Sequence, residues 1–148
     1  YFMKPYEDEL GHYIQKCAHL ITVIANERLD KIGLTLAQMR LLRCLWNEDG
    51  LMQKEIQQHL LIKPSSVNGL VEQLLKKELV LKKIDEQDAR RARIYLTETG
   101  ANLQSSCEDL FAQLEKSVSG HMDTVQKKET MKALEGVFQN LLATRLVQ

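Results

Sequence analysis

The chain has 148 residues, 44% hydrophobic and 27% charged, with 20 lysines and arginines against 20 aspartates and glutamates. That length suits one domain with a substantial core. A formal net charge of zero excludes a global field that would draw the chain to nucleic acid or to a membrane, so any such function must rest on local clustering.

Few aromatics, two prolines and frequent Leu, Glu, Lys and Gln favour a mostly helical protein. Leu10, Tyr13, Ile14, Cys17, Ile21, Ile24 and Arg28 recur at helical spacing, which predicts a long first helix ending near Gly33. "TLAQ" then reads as a capping box, with Thr35 as N-cap and Gln38 reaching back to it. The second helix it opens carries Leu36, Met39, Leu42 and Trp46 on one side, and Asn47, Glu48, Asp49 and Gly50 end it. A short third helix, "QKEIQQHL", has only Ile56 and Leu60 on its inner face and must dock on its neighbours to be stable.

The fourth helix begins in "KPSSVNGLVEQLLKK", where Pro64 suits the first helical position because its missing N–H would have had no partner there. Val67, Leu70, Val71 and Leu74 follow at i, i+3, i+4 and i+7. Two apolar runs, roughly Val80 to Ile84 and Arg93 to Leu96, read as a hairpin. Thr97 is expected to cap a fifth helix that runs to about Val118. "SGHMD" breaks it, and a last helix starts near Gln126. With no internal repeat, low-complexity tract or linker in sight, one domain spanning 1–148 is expected.

Helix, short helix, amphipathic helix and two-stranded ribbon in that order predict a winged helix-turn-helix. In such a unit one helix docks in a major groove while its partner crosses the phosphates. The side of the fourth helix opposite its apolar stripe presents Ser65, Asn68, Gly69, Glu72 and Lys76, with Ser66 and Gln73 on the flanks. Short hydroxyls and amides can read base edges, and a glycine lets backbone come close. From Lys76 to Arg93 there are seven basic residues against four acids, so the ribbon is net positive in a neutral chain. Within "DEQDARRA", Asp85 and Asp88 are expected to cap the turn or pair with an arginine. An arginine so held is drawn to the negative potential of a minor groove.

The "LT..Q..LL..L" opening at Leu34, the "D..D.R" turn and the closing "LTETG" together resemble the core of the multiple-antibiotic-resistance regulator (MarR) family. The resemblance is close over about half of the chain and holds in outline for the first helix and the last two. It implies a mostly α fold with a small β-hairpin wing, a DNA-binding region at about 35–98, and dimerisation helices at about 8–33 and 100–148. The implied activity is a homodimeric repressor on a pseudo-palindromic operator in double-stranded DNA, released by a small-molecule effector. The family's wing arginine falls on Arg90, and its supporting acids on Asp88 and Asp85. Ser65, Ser66, Asn68 and Gln73 are then expected to read bases, with Gln53, Lys54, Lys76 and Lys83 on phosphates and Arg91 beside Arg90. Departures from relatives are Ala89 and Gly69 where basic residues are frequent, Glu78 where Gly is common, and Met52 where a capping Ser or Thr is usual.

Other readings have less behind them. The neutral charge, Ala89 and Gly69 fit a winged-helix protein-interaction module that does not bind DNA; Arg90 and the short polar face do not. A thiol redox-sensing regulator would need a reactive cysteine, yet the position used by peroxide-sensing relatives falls on Gly11, not Cys17. A buried free cysteine behaves as a small hydrophobe. Cys17, Cys44 and Cys107 are odd in number and unpaired by spacing, against a disulfide framework and in keeping with a reducing cytosol. His12, His19, His59 and His121 form no His-x-x-x-His pair, so no metal is expected. No phosphate loop, nucleophile elbow or paired carboxylates suggest a cofactor or an enzyme. No apolar run approaches the ~20 residues of a membrane span, and "YFMKPYEDEL" lacks the apolar core of a signal peptide. Tyr1 and Phe2 precede a methionine and take no part in the fold reading. A cytoplasmic protein without a membrane partner is expected.

Overall fold

The computed structural model describes residues 8–88 and 91–146. Seven helices and three short strands follow one another among these residues: α1 (Leu10–Asp30), α2 (Leu36–Asn47), β1 (Leu51–Met52), α3 (Gln53–Leu60), α4 (Pro64–Lys76), β2 (Val80–Lys83), β3 (Arg93–Leu96), α5 (Glu98–Asn102), α6 (Gln104–Ser119) and α7 (Thr124–Leu146). They fall into two compact units, Tyr1–Leu110 and Phe111–Gln148.

In the first unit the predicted caps form as expected. The Thr35 hydroxyl accepts from Gln38 N–H while the Gln38 side chain accepts from Thr35 N–H, closing the box at the start of α2. Asn26 of α1 adds a second cap, accepting from Leu36 N–H at 2.7 Å. Leu29, Met39, Leu42, Leu45, Ile56, Val67, Val71, Leu74 and Ile94 are fully buried and make the core. Ile56 is the one fully buried residue of α3, so this short helix stays helical only because its neighbours cover it.

The sheet has three strands, not the expected two. β3 is central, pairing antiparallel with β2 from Val80↔Leu96 to Lys83↔Arg93 and with β1 through Leu51↔Ile94 and Met52↔Arg93. A strand of two residues has no periodicity to read. Gly50, at φ 75, turns the chain into it. A side chain at Gly50 would strike the Tyr95 ring, 2.7 Å from the nearest ring carbon. The first expected strand also stops one residue short, at Lys83, leaving Ile84 outside it.

The single helix expected from Thr97 to Val118 is two, α5 and α6, parted at Leu103. Tertiary contacts fix α5 tightly. Thr97 Oγ1 donates to Glu78 carbonyl at 2.7 Å and accepts from Gly100 N–H, and Trp46 Nε1 donates to the Gly100 carbonyl at 2.9 Å. A Cβ on Gly100 would stand 2.0 Å from the Leu79 carbonyl oxygen. That close approach holds α5 against the sheet.

In the second unit the "SGHMD" break is where expected, but α7 starts at Thr124, earlier than Gln126. Asp123 accepts from Gln126 N–H and Gln126 Oε1 accepts from Asp123 N–H, a reciprocal cap that starts the helix two residues earlier than the apolar pattern suggests. Lys127 sits 2.9 Å from Glu115, and this bond, with Ser119, holds the Glu115 carboxyl below its ordinary range. No residue of α7 is buried, and Val125, Met131, Leu134, Phe138 and Leu141 are all exposed.

Candidate nucleic-acid interface

α4 turns Val67, Val71 and Leu74 inward, and the 3.6-residue period leaves the opposite side outward. Ser65, Ser66, Asn68, Gly69, Glu72, Gln73 and Lys76 are all exposed. The face expected from the sequence is therefore present as a continuous surface. Nothing lies within 4 Å of a Cβ built on Gly69, so packing does not demand a glycine there.

Two of these side chains are tied to other elements. Gln53, half-buried at the start of α3, donates from Nε2 to Asn68 Oδ1. This bond fixes the Asn68 amide with its NH2 group left to donate outward. Gln73 Oε1 accepts from Gln38 Nε2 at 2.9 Å. Gln38, 4% exposed, is the one buried polar residue among the described residues, and its own oxygen accepts from Lys77 Nζ at 2.7 Å. Lys77 also donates to the Gly33 carbonyl in the α1–α2 turn. Sequence periodicity placed Gln73 on the flank of the polar face; the structure adds that its oxygen is already used.

Met52 offers no side-chain cap to α3, as expected. Glu78 takes the left-handed conformation at φ 58, and Leu61, at the end of α3, does the same at φ 56. The first was foreseeable from the position relatives give to Gly. The second carried no signal in a leucine.

In the wing, Asp85 Oδ1 accepts from Gln87 N–H at 2.9 Å, so this acid caps the turn. Asp88 accepts from Arg91 N–H through its backbone carbonyl, and its carboxylate lies 3.9 Å from Arg91 Nε. Both side chains are well exposed, so this ion pair shapes the loop more than it stabilises the fold. Ala89 and Arg90 lie outside the described residues. Lys83 holds its ammonium 4.9 Å from the centre of the Tyr95 ring, while Lys54 and Lys76 are exposed. Arg93, counted only as charge in the sequence, donates to the Gly50 carbonyl at 2.8 Å. Asp49 Oδ1 accepts from Leu96 N–H at 2.9 Å. Together they anchor the wing to the end of α2.

Of the cysteines, Cys44 is half-buried and Cys107 buried; burial pushes both thiols above their ordinary range. Cys17 is exposed within the chain, which corrects the expectation of a buried small hydrophobe. Among the described residues no cluster of His, Cys, Asp and Glu is placed to hold a metal. No helix among them is long and apolar enough to cross a membrane.

Residues 34–92, from Leu34 to just before β3, match the model of the MarR family. Over this segment the chain is similar to the MarR family. It is similar to the organic hydroperoxide resistance transcriptional regulator of Bacillus subtilis (strain 168), 28% identical over 138 residues, covering 93% of this chain and 90% of that one. The fold is that of S. aureus MepR solved in complex with DNA, with TM-score 0.84 at 23% identity, covering 88% of this chain and 97% of that one. It is also that of Bordetella bronchiseptica BpsR, a structure concerned with regulation of DNA binding by 6-hydroxynicotinic acid, with TM-score 0.81, 20% identity and coverage of 89% and 94%. The matched segment holds α2, β1, α3, α4 and β2, which are the elements that build and brace the exposed polar face.

Proposed function

We propose that this protein is a member of the MarR family and a homodimeric, sequence-specific regulator of transcription that represses from a pseudo-palindromic operator and is released by a small-molecule effector. The observation that carries the reading is the unbroken polar face of α4, braced at Asn68 by Gln53 and followed by a wing whose turn Asp85 caps. Ser65, Ser66 and Asn68 read base edges, with Gln73 contributing its remaining amide donors. Gln53, Lys54, Lys76 and Lys83 touch phosphates, and Arg90 enters the minor groove with Arg91 alongside and Asp85 and Asp88 in support. About 35–98 is the DNA-binding region of a single domain over 1–148, and about 8–33 and 100–148 supply the dimer helices. The exposed apolar residues Leu10, Tyr13 and Leu20 on α1, and Met131, Leu134, Phe138 and Leu141 on α7, support that assignment. Two heads so joined must stand about one duplex turn apart, ~34 Å, to engage both half-sites. Such a protein works in the cytoplasm and catalyses no reaction.

Selection of bound fragments from the source genome, followed by gel shifts at several salt concentrations, tests this. Arg90→Ala should weaken operator binding and reduce the salt slope by about one unit. Unchanged affinity and slope would remove the wing from the mechanism, and no retained fragment at low salt would leave a protein-interaction module.

A thiol-responsive version is the second reading, favoured by the exposure of Cys17. Loss of operator binding on treatment with cumene hydroperoxide, abolished by Cys17→Ser, would establish it; an unaffected wild-type protein would end it.

A further inference from the structure

The side-chain amide of Gln38 can point only one way. Its oxygen accepts from Thr35 N–H at 3.2 Å and from Lys77 Nζ at 2.7 Å. A backbone N–H and an ammonium group are donors with no acceptor to offer. The reversed amide would set its own NH2 group against both of them, in a residue 4% exposed, at the cost of an unpaired buried donor. Lys77 is itself held by the Gly33 carbonyl beyond α1.

This orientation is passed on to α4. With its oxygen taken, Gln38 offers Nε2, and Gln73 Oε1 accepts it at 2.9 Å. Gln73 is exposed, and its NH2 group has no hydrogen-bond partner among the described residues. Toward solvent, Gln73 is therefore a donor alone. A glutamine with both groups free matches adenine, accepting from N6 and donating to N7. Gln73 cannot make that pair, because its acceptor faces the protein. Guanine offers two acceptors, O6 and N7, and no donor on the same edge.

We infer that Thr35 and Lys77, acting through Gln38, make Gln73 a donor-only contact that selects guanine over adenine at the base pair it meets. Gln38 is then a positioning residue for base recognition that touches no DNA. The base preference rests on the function proposed above; the direction of the amide does not.

Side-chain amide NMR on the full chain without DNA reads the direction. The Gln38 NH2 protons should exchange slowly and those of Gln73 at the rate of a solvated amide. The opposite order would overturn the inference. Gel shifts on a selected operator then read the preference. The pair met by Gln73 is the one whose preference disappears in Gln73→Ala. There the wild type should favour guanine over adenine by ~10-fold, the scale of one good base contact.

Gln38→Glu makes the decisive comparison. Glutamate serves a capping box as well as glutamine does, and Lys77 is in place to pair with it. An ionised carboxylate has no donor, so Gln73 must turn its NH2 group inward and present its oxygen to the DNA. The ratio of guanine to adenine affinity should fall by ~10-fold or more. Gln73→Glu, an exposed change that leaves the core alone, also presents an acceptor outward and should move the ratio the same way. Adenine preferred by the wild type, a ratio unchanged in both variants, or an operator in which no base pair depends on Gln73 would each overturn the inference and leave the proposed function standing. A chain with the expected amide exchange that binds no DNA would instead refute the proposed function, and the base preference with it.

Discussion

Gln38 and Gln73, 35 residues apart, meet through one hydrogen bond of 2.9 Å from Nε2 to Oε1. The first is buried in α2 and the second is exposed on α4. Every polar group of the Gln38 amide that the fold encloses is turned to a partner: Thr35 N–H and Lys77 on its oxygen, Gln73 on its nitrogen. A side chain chosen to cap one helix thus also sets where α4 lies.

Removing that amide strands its partners. Gln38→Leu should destabilise the chain by about 1–3 kcal/mol in urea unfolding. A double-mutant cycle with Gln73→Ala should return a coupling energy of about 1 kcal/mol. Additive losses would show that the two side chains act independently, and Gln73 would then be free to serve DNA alone.

Glu78 and Gly33 occupy the same place in the same helix ending. After α4, Glu78 N–H reaches Leu75 carbonyl and Leu79 N–H reaches Leu74 carbonyl; after α1, Gly33 and Leu34 repeat the pattern on Asp30 and Leu29. Both central residues have positive φ, 58 and 75. A side chain in that region costs ~1–2 kcal/mol, partly offset because glycine loses ~0.5–1 kcal/mol more entropy on folding. Glu78→Gly should therefore raise the melting temperature by a few degrees without altering operator affinity. A lower melting temperature would mean that the Glu78 carboxylate makes a contact worth more than the strain.

Gly69 lies in mid-helix with open space around it. Gly69→Ala should stabilise α4 by up to ~1 kcal/mol through helix propensity. If DNA backbone or base edges come close at this turn, the same change should weaken operator binding. Greater stability with unchanged affinity would move the interface away from Gly69.

The cysteines report on burial and on dimerisation together. Cys44 and Cys107 have thiols raised by burial, so fewer thiolates are present at neutral pH and a maleimide should label them slowly, faster as pH rises past the ordinary thiol range. Cys17 shares an exposed stripe of α1 with Leu10, Tyr13 and Leu20. Its labelling should be rapid in dilute protein and slow as concentration rises through the dimerisation range. Labelling at a constant rate would place α1 outside the dimer contact.

Much of the architecture was legible because its causes are local. The Thr35–Gln38 box, Pro64 at the head of α4, the Val67–Val71–Leu74 stripe and the Asp85 turn each depend on residues within about two helical turns. The same reach explains why the α4 face and the wing could be located in advance. What escaped notice has distant causes. β1 is two residues long and exists because β3 lies beside it. The break at Leu103 follows from α5 being held by Glu78, Leu79 and Trp46. Arg93 and Asp49 serve the wing through bonds 43 and 47 residues long in sequence.

Helix periodicity, caps and turn chemistry, all settled by side chains a few positions apart, were thus determined by the amino-acid order alone. Only tertiary docking decided which polar groups remain available to a ligand. Hydrogen-bond partners such as Gln53–Asn68 and Gln38–Gln73 exist only after separate helices have packed, and a residue's type does not say whether its donor or acceptor has already been taken.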